Sequence, residues 1–330
     1  MNWRTKARIQ NVLGKLPTRL SYGAYYWIQR SFGNLRRAKP LITLQEGLRA
    51  IEIIDSLGKS PVGCTFFDLG TGHRIVFPLV CWLLGAEKIF TVDLNPYLRE
   101  AIVREDLEYI KNHREQVREL FAGRIYGRRF EELLTFIEKK WRLADLLEFC
   151  HTTYLAPCDA AELPIASQSV DCYTSFVVIQ HIPPETLKKI IAEGNRVVKS
   201  GGVFLHHIDH SDQFSHVDPT ISAINFLQFD EAEWKRLAGN RYAYASRLRH
   251  DDYEDLFRAA HHEILFCKLG VDPALRELLE KNELKLAERF ATKSKDVLAA
   301  TSSWIVSKMI AAQEPQASPI VACPSAPPNL

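Results

Sequence analysis

The sequence has no closely spaced pairs of cysteines. Its seven cysteines are scattered and odd in number, and none is spaced as Cys-x-x-Cys. This pattern predicts neither a disulfide framework nor a zinc site. No apolar stretch approaches the roughly 20 residues that a membrane-spanning helix needs, and the first residues do not have the pattern of a signal peptide. We therefore expect a protein of the reducing cytoplasm.

Acidic residues are absent from the first 45 residues, although the net charge of the whole chain is only +2. Nine basic side chains fall there: Arg4, Lys6, Arg8, Lys15, Arg19, Arg30, Arg36, Arg37 and Lys39. Six aromatic residues are interleaved with them: Trp3, Tyr22, Tyr25, Tyr26, Trp27 and Phe32. Three interpretations of residues 1–40 stay open: peripheral contact with an anionic membrane, a lid over an anionic substrate, and a helical layer packed on a sheet.

Three regions follow one another along the chain. Residues 1–60 are basic, aromatic and helical in pattern, with a helix expected over residues 41–57. Residues 61–310 alternate short β-rich runs with helical stretches, which is typical of a parallel sheet wound by helices. Within them we expect a helical insertion at about 105–147 and an insertion on the substrate side at about 211–253. Residues 313–330 are rich in proline, alanine and serine and are expected to be disordered.

The strongest motif is a β-rich run that ends in Asp68 and enters a turn containing Gly70 and Gly72. Glycine permits backbone torsions that a side chain forbids, so such a turn lets a ligand approach the backbone closely. A second β-rich run ends in Asp93, 25 residues after Asp68. An acid at the end of the second strand is placed to accept hydrogen bonds from ribose hydroxyls. The two features together predict a nucleoside-containing cofactor.

Further motifs follow in the same order as in a known family. Asp159-Ala160 precedes a β-rich run through Ser175, which leads to Gln180-His181-Ile182, and Arg196 to Gly202 forms a turn before a fifth run. Over residues 60–210 the sequence resembles the class I S-adenosylmethionine-dependent methyltransferases. The resemblance implies a doubly wound, mostly parallel seven-stranded α/β sheet of the Rossmann-like kind. It also implies S-adenosylmethionine as the cofactor, bound by Asp68, Gly70, Gly72, Asp93, Asp159, Ala160 and Ser175.

A nicotinamide-dependent dehydrogenase is the rival interpretation of a glycine turn that precedes a second acid. Dehydrogenases normally carry the pattern Gly-x-Gly-x-x-Gly, whereas Ile75 occupies the third glycine position here. The motifs at Asp159 and at Gly201-Gly202 also fit methyl transfer better. The sequence therefore favours a methyltransferase.

Histidines and aspartates are concentrated at the end of the fifth β-rich run. Strand alternation places His207 with Asp209 on one face, and His206 with His210 on the other. His181 follows the fourth run in the corresponding zone. Methyl transfer to a hydroxyl needs a group that takes the proton, so His181, His207, His210 and Asp209 are the catalytic candidates. A divalent metal site and polar residues satisfied by loop backbone are the alternatives, and no metal ligand is assigned.

Downstream, Arg247 and Arg249 would share one face of an extended segment, where two guanidinium groups suit an anionic acceptor. With His216 they are the candidate substrate-binding residues, and surface arginines paired with nearby acids are the alternative. We expect an O-methyltransferase of a small molecule or saccharide. An inactive cofactor-binding scaffold and a metal-assisted methyltransferase remain alternatives. No nucleic-acid partner is expected, since the chain lacks an Asn/Asp-Pro-Pro-Tyr/Phe motif.

Overall fold

The computed structural model describes residues 1–33, 35–38 and 40–310. The tail at 313–330, for which the sequence predicts disorder, lies outside these residues.

Seven strands form one mixed sheet. In chain order they are β1 (Thr65–Leu69), β2 (Lys88–Val92), β3 (Thr152–Leu155), β4 (Val170–Phe176), β5 (Val198–Asp209), β6 (His262–Val271) and β7 (Ala300–Met309). Their spatial order is β3-β2-β1-β4-β5-β7-β6. The first five pair in parallel, and β7 runs antiparallel to both of its neighbours. The doubly wound, mostly parallel seven-stranded sheet implied by the sequence is confirmed.

Thirteen α-helices are assigned within the described residues. They are α1 (Trp3–Lys15), α2 (Thr18–Phe32), α3 (Pro40–Ser56), α4 (Val76–Leu83), α5 (Glu100–Asn112), α6 (Arg114–Leu120), α7 (Arg129–Ile137), α8 (Leu143–Phe149), α9 (Pro184–Val197), α10 (Glu231–Ala238), α11 (His250–Ala259), α12 (Pro273–Glu280) and α13 (Lys295–Ala299). The helix predicted over residues 41–57 is α3, with each end one residue earlier. Four helices, α5 to α8, occupy the long connection between β2 and β3.

Apolar helices cover both faces of the sheet. On one face α3 and α4 pack together, and every residue of α4 is buried, as expected for a helix that is apolar all round. On the other face α9 and α11 contribute Leu187, Ile191 and Phe257 to a second cluster with Phe67 of β1 and Phe204 of β5. Burial on both faces explains why the central strands are nearly continuous apolar runs.

The chain reverses its direction across the sheet at β1. It winds from β1 through β2 to β3, and then returns to the other side of β1 with β4. In open α/β sheets such a reversal leaves a crevice at the carboxyl ends of the two strands beside it, and ligands bind there. A ligand-binding site is therefore expected among the loops that follow β1, β2 and β4.

The first helix is attached to the segment that follows β5. Trp3 is buried against Phe214 and Phe229, and its backbone N–H donates to Oδ2 of Asp218 over 2.8 Å. The same apolar cluster contains Trp234 of α10. The amino-terminal helices thus cover the side of the molecule where the chain leaves β5.

Candidate active site

The glycine turn, Gly70–Gly72, follows β1 at the reversal point. Gly70 and Gly72 have φ of 89° and 60°, values that favour glycine. A Cβ on Gly70 would lie 2.4 Å from Cγ2 of Val178, so only glycine allows this contact with the loop after β4. A Cβ on Gly72 would meet no described atom within 4 Å. Val178 therefore closes the turn at Gly70. The turn is open at Gly72, where a ligand can approach the backbone.

Asp93 connects the end of β2 to this turn. Its Oδ2 accepts the backbone N–H of Gly72 and its Oδ1 accepts that of Asn95, both over 2.9 Å. Burial raises the pKa of the carboxyl, while the two N–H groups act in the opposite direction. Each oxygen keeps a further lone pair, so the carboxylate can also accept the hydroxyls of a ribose. The residues here fit an adenosyl cofactor.

Asp68 is the penultimate residue of β1, the strand that enters the glycine turn. The side chain is buried, and its Oδ2 accepts the hydroxyl of Thr91 over 2.9 Å. Burial raises the pKa of Asp68 to about 7, against the opposing effect of the Thr91 hydrogen bond. The carboxyl can therefore change its charge near neutral pH.

Asp159 and Ala160 lie beside Asp93. The backbone N–H of Cys158 donates to the carbonyl oxygen of Asp93 over 3.0 Å, which joins the loop after β3 to the end of β2. Asp159 is exposed and its Oδ1 accepts the N–H of Ala161, while Ala160 is buried. Asp159 therefore lies with Asp93 at the carboxyl ends of neighbouring strands. Its exposed side chain is accessible to a nucleobase.

Ser175 does not face this crevice. The side chain is fully buried, and its hydroxyl is 2.7 Å from Nδ1 of His206 on the neighbouring strand. The Ser175 hydroxyl is therefore occupied inside the sheet, and the predicted contact of this residue with the cofactor is left to its backbone. The chain turns sharply two residues later, at Val177, which has a φ of 56° and is 40% exposed. Val178, the next residue, is the one that borders the glycine turn, at Gly70.

The histidines of β5 lie on opposite faces of the sheet, as alternation predicts. His210 is buried beside Tyr253 of α11, its Nε2 is 2.8 Å from the hydroxyl of Ser303, and burial holds its pKa well below the ordinary value. His207 stacks on Trp304 of β7, and its Nδ1 is 3.6 Å from Oε2 of Glu46 on α3. His210 is therefore enclosed, which contradicts its prediction as a base with access to an acceptor. His207 is half-buried and has a carboxylate beside it.

Asp209 is occupied by its own loop. Its Oδ1 accepts the N–H and the hydroxyl of Ser211, and its Oδ2 accepts the amide of Gln213 over 2.7 Å. It therefore shapes the turn after β5 and does not hydrogen-bond to either neighbouring histidine. Glu46, which the sequence motifs did not single out, is the carboxylate beside His207, and its Oε2 does not hydrogen-bond to the ring.

Both predicted substrate-binding arginines are buried and bonded to the protein. Arg249 is fully buried and donates to the carbonyl oxygens of His210, Val297, Leu298 and Ala300. Arg247 has a φ of 57°, so the segment is not extended there, and its guanidinium donates to Phe226 and Phe229 carbonyls and to Glu231. These placements contradict the prediction. The two guanidinium groups hold loops together because their donors are directed at carbonyl oxygens inside the fold.

A cavity of about 420 Å³ opens between α1, α2 and the loops after β4 and β5. Apolar side chains form much of its wall, among them Ile9, Leu13, Ile28, Phe32, Phe214 and Val217. Its polar lining includes Lys6, Gln10, Gln213 and two of the predicted residues, His181 and His216. The cavity is large enough for a small organic molecule, and its mixed lining suits one with an apolar body and a few polar groups.

His181 is oriented for proton transfer. Its Nδ1 is 2.9 Å from the carbonyl oxygen of Tyr244, and a carbonyl can only accept, so Nδ1 carries the hydrogen. The lone pair is then on Nε2, as a general base requires. The backbone N–H of His181 also donates to the carbonyl of Val178, which contacts the glycine turn. One short loop therefore joins the cofactor crevice to the wall of the cavity.

Helix α2 covers the crevice formed by the glycine turn and the loop that carries Asp93 and Asn95, which we call the cofactor crevice. The hydroxyl of Tyr22 donates to Oδ1 of Asn95 over 2.9 Å, and its ring packs edge-on to Tyr97. Tyr25, one helical turn later, stacks on Tyr242 at the cavity wall. The amino-terminal aromatic residues thus reach both the Asp93 loop and the cavity. Tyr97 and Tyr242 were missed by the sequence analysis, because neither lies in a motif.

Comparison with known proteins identifies a family for part of the chain. A family model described as a methyltransferase domain matches residues 130–206, a range that includes Asp159 and begins after Asp93. No curated protein matches the sequence.

Several solved structures resemble the chain at low identity. One is magnesium protoporphyrin IX methyltransferase from Synechocystis PCC 6803 with bound SAH, with 12% identity, a TM-score of 0.44, and 94% of this chain and 100% of that chain covered. Another is geranyl diphosphate C-methyltransferase from Streptomyces coelicolor A3(2), with 10% identity, a TM-score of 0.43, and 80% and 79% covered. A third is the PH0226 protein of Pyrococcus horikoshii OT3, with 14% identity, a TM-score of 0.45, and 87% and 99% covered.

Proposed function

Since the chain is a class I S-adenosylmethionine-dependent methyltransferase, by its strand order and its methyltransferase-domain match, we propose that it methylates a hydroxyl oxygen of a small acceptor. The acceptor occupies the cavity between α1 and α2. The observation that carries this proposal is the position of His181, which lines the cavity, holds its ring hydrogen on Nδ1 and belongs to a loop that contacts the glycine turn.

The cofactor is held in this proposal by groups that border one crevice. Asp93 accepts the ribose hydroxyls, Asp159 holds the adenine, and the open backbone at Gly72 receives the remainder of the molecule. When bound, S-adenosylmethionine supplies a methyl group on a sulfonium. Ser175 contributes only its place in β4, since its side chain is enclosed.

The chain's own contribution is to position the acceptor and to take its proton. The acceptor hydroxyl loses its hydrogen to Nε2 of His181, and its oxygen gains the methyl group. The carbonyl of Tyr244 holds the imidazole in the required tautomer through Nδ1. The helices α1 and α2 exclude water from the crevice and align the reacting atoms, which is the larger part of catalysis in such displacements.

The cavity lining indicates the chemical nature of the acceptor. Because apolar side chains predominate, we propose an acceptor with an apolar body, in preference to a free saccharide. Lys6 projects into the cavity, with its Nζ 3.1 Å from the carbonyl of Gln213, and burial lowers the pKa of its amine. His216, whose Nε2 is 2.9 Å from the Ser211 hydroxyl, is a second polar contact for the acceptor.

Mass spectrometry of product formation tests this function. The full chain is incubated with S-adenosylmethionine and hydroxylated compounds in matched pairs, each apolar alcohol or phenol beside a saccharide of similar size. We expect a mass increase of one methylene on the apolar members, with the new methyl group on oxygen. Products methylated on nitrogen or carbon, or on saccharides alone, would contradict the proposed acceptor class while leaving the methyltransferase assignment intact.

The outer surface of α1 and α2 supports a second part of the proposal, contact with an anionic membrane. Val12, Leu20 and Trp27 are more than 60% exposed (64%, 67% and 62%), although each is strongly apolar. Arg8 and Lys15 are exposed on the same helix as Val12, one turn before and after it. No described helix is long and apolar enough to cross a bilayer. An amphipathic surface of this kind suits insertion at headgroup depth.

The membrane surface and the cavity are adjacent. Ile9 and Phe32 line the cavity, are 41% and 78% exposed, and belong to α1 and α2, the same helices that carry Val12, Leu20 and Trp27. An apolar acceptor could therefore pass from the lipid into the cavity without crossing water. We propose a cytoplasmic protein that binds the membrane peripherally, and the free thiols of all described cysteines agree with a reducing compartment.

A further inference from the structure

A cluster of three potential metal ligands lies where α11 packs on the edge strand β6. His250 and Glu254 are four residues apart on α11, and therefore on one face of the helix, and Cys267 lies on β6. Nε2 of His250 is 2.9 Å from Sγ of Cys267 and 3.1 Å from Oε1 of Glu254. The three ligand atoms all lie within 4.8 Å of one another.

The three atoms converge on one point and do not form a chain. In a histidine that relays a proton, a carboxylate and a thiol contact different ring nitrogens. Here both approach the same nitrogen, Nε2. Ligands around a tetrahedral zinc ion lie about 2.0–2.3 Å from the metal, so they stand roughly 3.3–3.8 Å from one another. Small movements of the side chains would produce that spacing.

The surroundings suit a cation with one open position. The side chain of His250 is only 5% exposed, so the position of its Nε2 is fixed by the packing around the ring. The second carboxylate oxygen of Glu254 is held by Arg258 over 2.7 Å, which fixes the direction of the first. Cys267 is exposed, so water can supply a fourth ligand.

We propose that His250, Glu254 and Cys267 bind one zinc ion, which links α11 to the edge of the sheet. Mixed nitrogen, sulfur and carboxylate ligands are those that zinc accepts, and hard ions such as Mg²⁺ disfavour thiolate. The helix begins next to Arg249, which holds the carbonyls of His210 and Ala300. An ion at this junction would therefore stabilise the β5–β7 edge through α11. The site is independent of the proposed methyl transfer, since none of its ligands lines the cavity between α1 and α2.

Cobalt substitution tests the site directly. The full chain, freed of metal with a chelator, is titrated with Co²⁺, because a cobalt–thiolate bond gives a charge-transfer absorption in the near ultraviolet. We expect one equivalent to produce this band and Zn²⁺ to displace it. Cys267→Ser should abolish the band, and Glu254→Gln should weaken cobalt binding by about tenfold or more. Cys158→Ser, at a half-buried cysteine outside the cluster, should leave the titration unchanged.

Thermal unfolding supplies a second measurement. Zn²⁺ at a fixed concentration should raise the Tm of the natural chain and of Cys158→Ser, should raise that of Glu254→Gln by less, and should leave that of Cys267→Ser unchanged. Both cluster variants alter side chains that are at least partly exposed, so the fold should survive them. A cobalt–thiolate band that persists in Cys267→Ser, or no band in the natural chain, would overturn the proposal.

Discussion

The carboxylate of Asp93 accepts the backbone N–H of Gly72, with 2.9 Å between Oδ2 and N, and this bond joins the end of β2 to the glycine turn after β1. One side chain therefore fixes the turn, and in the proposed function its remaining lone pairs accept the ribose hydroxyls. Asp93→Ala should weaken S-adenosylmethionine binding by about 1–3 kcal/mol, the range for a charge-assisted hydrogen bond. Calorimetry of the folded variant measures this loss. Asp255→Ala, at an exposed position on α11, is the control and should bind normally. Unchanged affinity in Asp93→Ala would remove the ribose assignment.

Cofactor binding should depend on pH through Asp68. Burial raises the pKa of this carboxyl to about 7, so it is ionised above that pH and neutral below it. The cofactor carries a sulfonium and an ammonium group, and the ionised carboxylate attracts them. Affinity should therefore fall as the pH drops through 7, by up to about tenfold per pH unit. Fluorescence titrations between pH 5.5 and 7.5 measure it, and Asp68→Asn should give a flatter profile. An equally steep profile in Asp68→Asn would assign the titration to another group.

The raised pKa of Asp68 also makes the free energy of unfolding depend on pH. Between its ordinary pKa near 4 and about 7, the folded chain holds a proton on Asp68 that the unfolded chain has lost. Asp68 therefore lowers the free energy of unfolding as the pH rises through this window. Without cofactor, Asp68→Asn should gain stability over the natural chain at pH 8 and show little difference at pH 4. Urea denaturation at the two pH values measures the change, and an equal difference at both would contradict it.

Arg249 should matter for stability and not for substrate affinity. Its removal leaves the carbonyls of His210, Leu298 and Ala300 buried without a donor. Arg249→Met should therefore lower the free energy of unfolding by about 3 kcal/mol or more. Arg276→Ala, which breaks exposed pairs with Glu280 and Asp296, is the control and should cost less than about 1 kcal/mol. A stable Arg249→Met that binds the acceptor more weakly would restore the original prediction of a substrate contact.

Membrane contact should depend on a few exposed apolar side chains. Leu20→Ser combined with Trp27→Ser should reduce binding to vesicles containing anionic lipid by about tenfold or more, because both side chains would otherwise enter the headgroup region. Flotation with phosphatidylserine-containing vesicles measures it, at low and high salt. Val62→Ser, at an apolar residue that is 47% exposed before β1, is the matched control. Binding that is insensitive to the double substitution and to salt would contradict the assigned surface.

The sequence predicts the fold and the cofactor crevice because local patterns determine both. A glycine turn after one strand and an acid after the next must meet at a sheet edge, as Gly72 and Asp93 do. The burial of Ser175 and Arg249 depends on which helix covers which face of the sheet. Local sequence patterns do not give this pairing, because α11 lies far from β4 along the chain. Alternation correctly separates His207 from His210, but it does not show that α11 encloses His210. Nor does the spacing of the cysteines show that Cys267 meets His250.

In the proposed reaction His181 removes the acceptor's proton where the loop after β4 joins the glycine turn to the cavity. The direct test is the turnover of His181→Gln, measured together with its affinity for S-adenosylmethionine. His113→Gln is the matched control, since Nδ1 of that exposed histidine also lies 2.8 Å from a carbonyl, that of Tyr109, at the end of α5. We expect kcat to fall by about 10²–10⁴ in His181→Gln with cofactor affinity unchanged, and His113→Gln to behave as the natural chain. A His181→Gln enzyme with full turnover would contradict it.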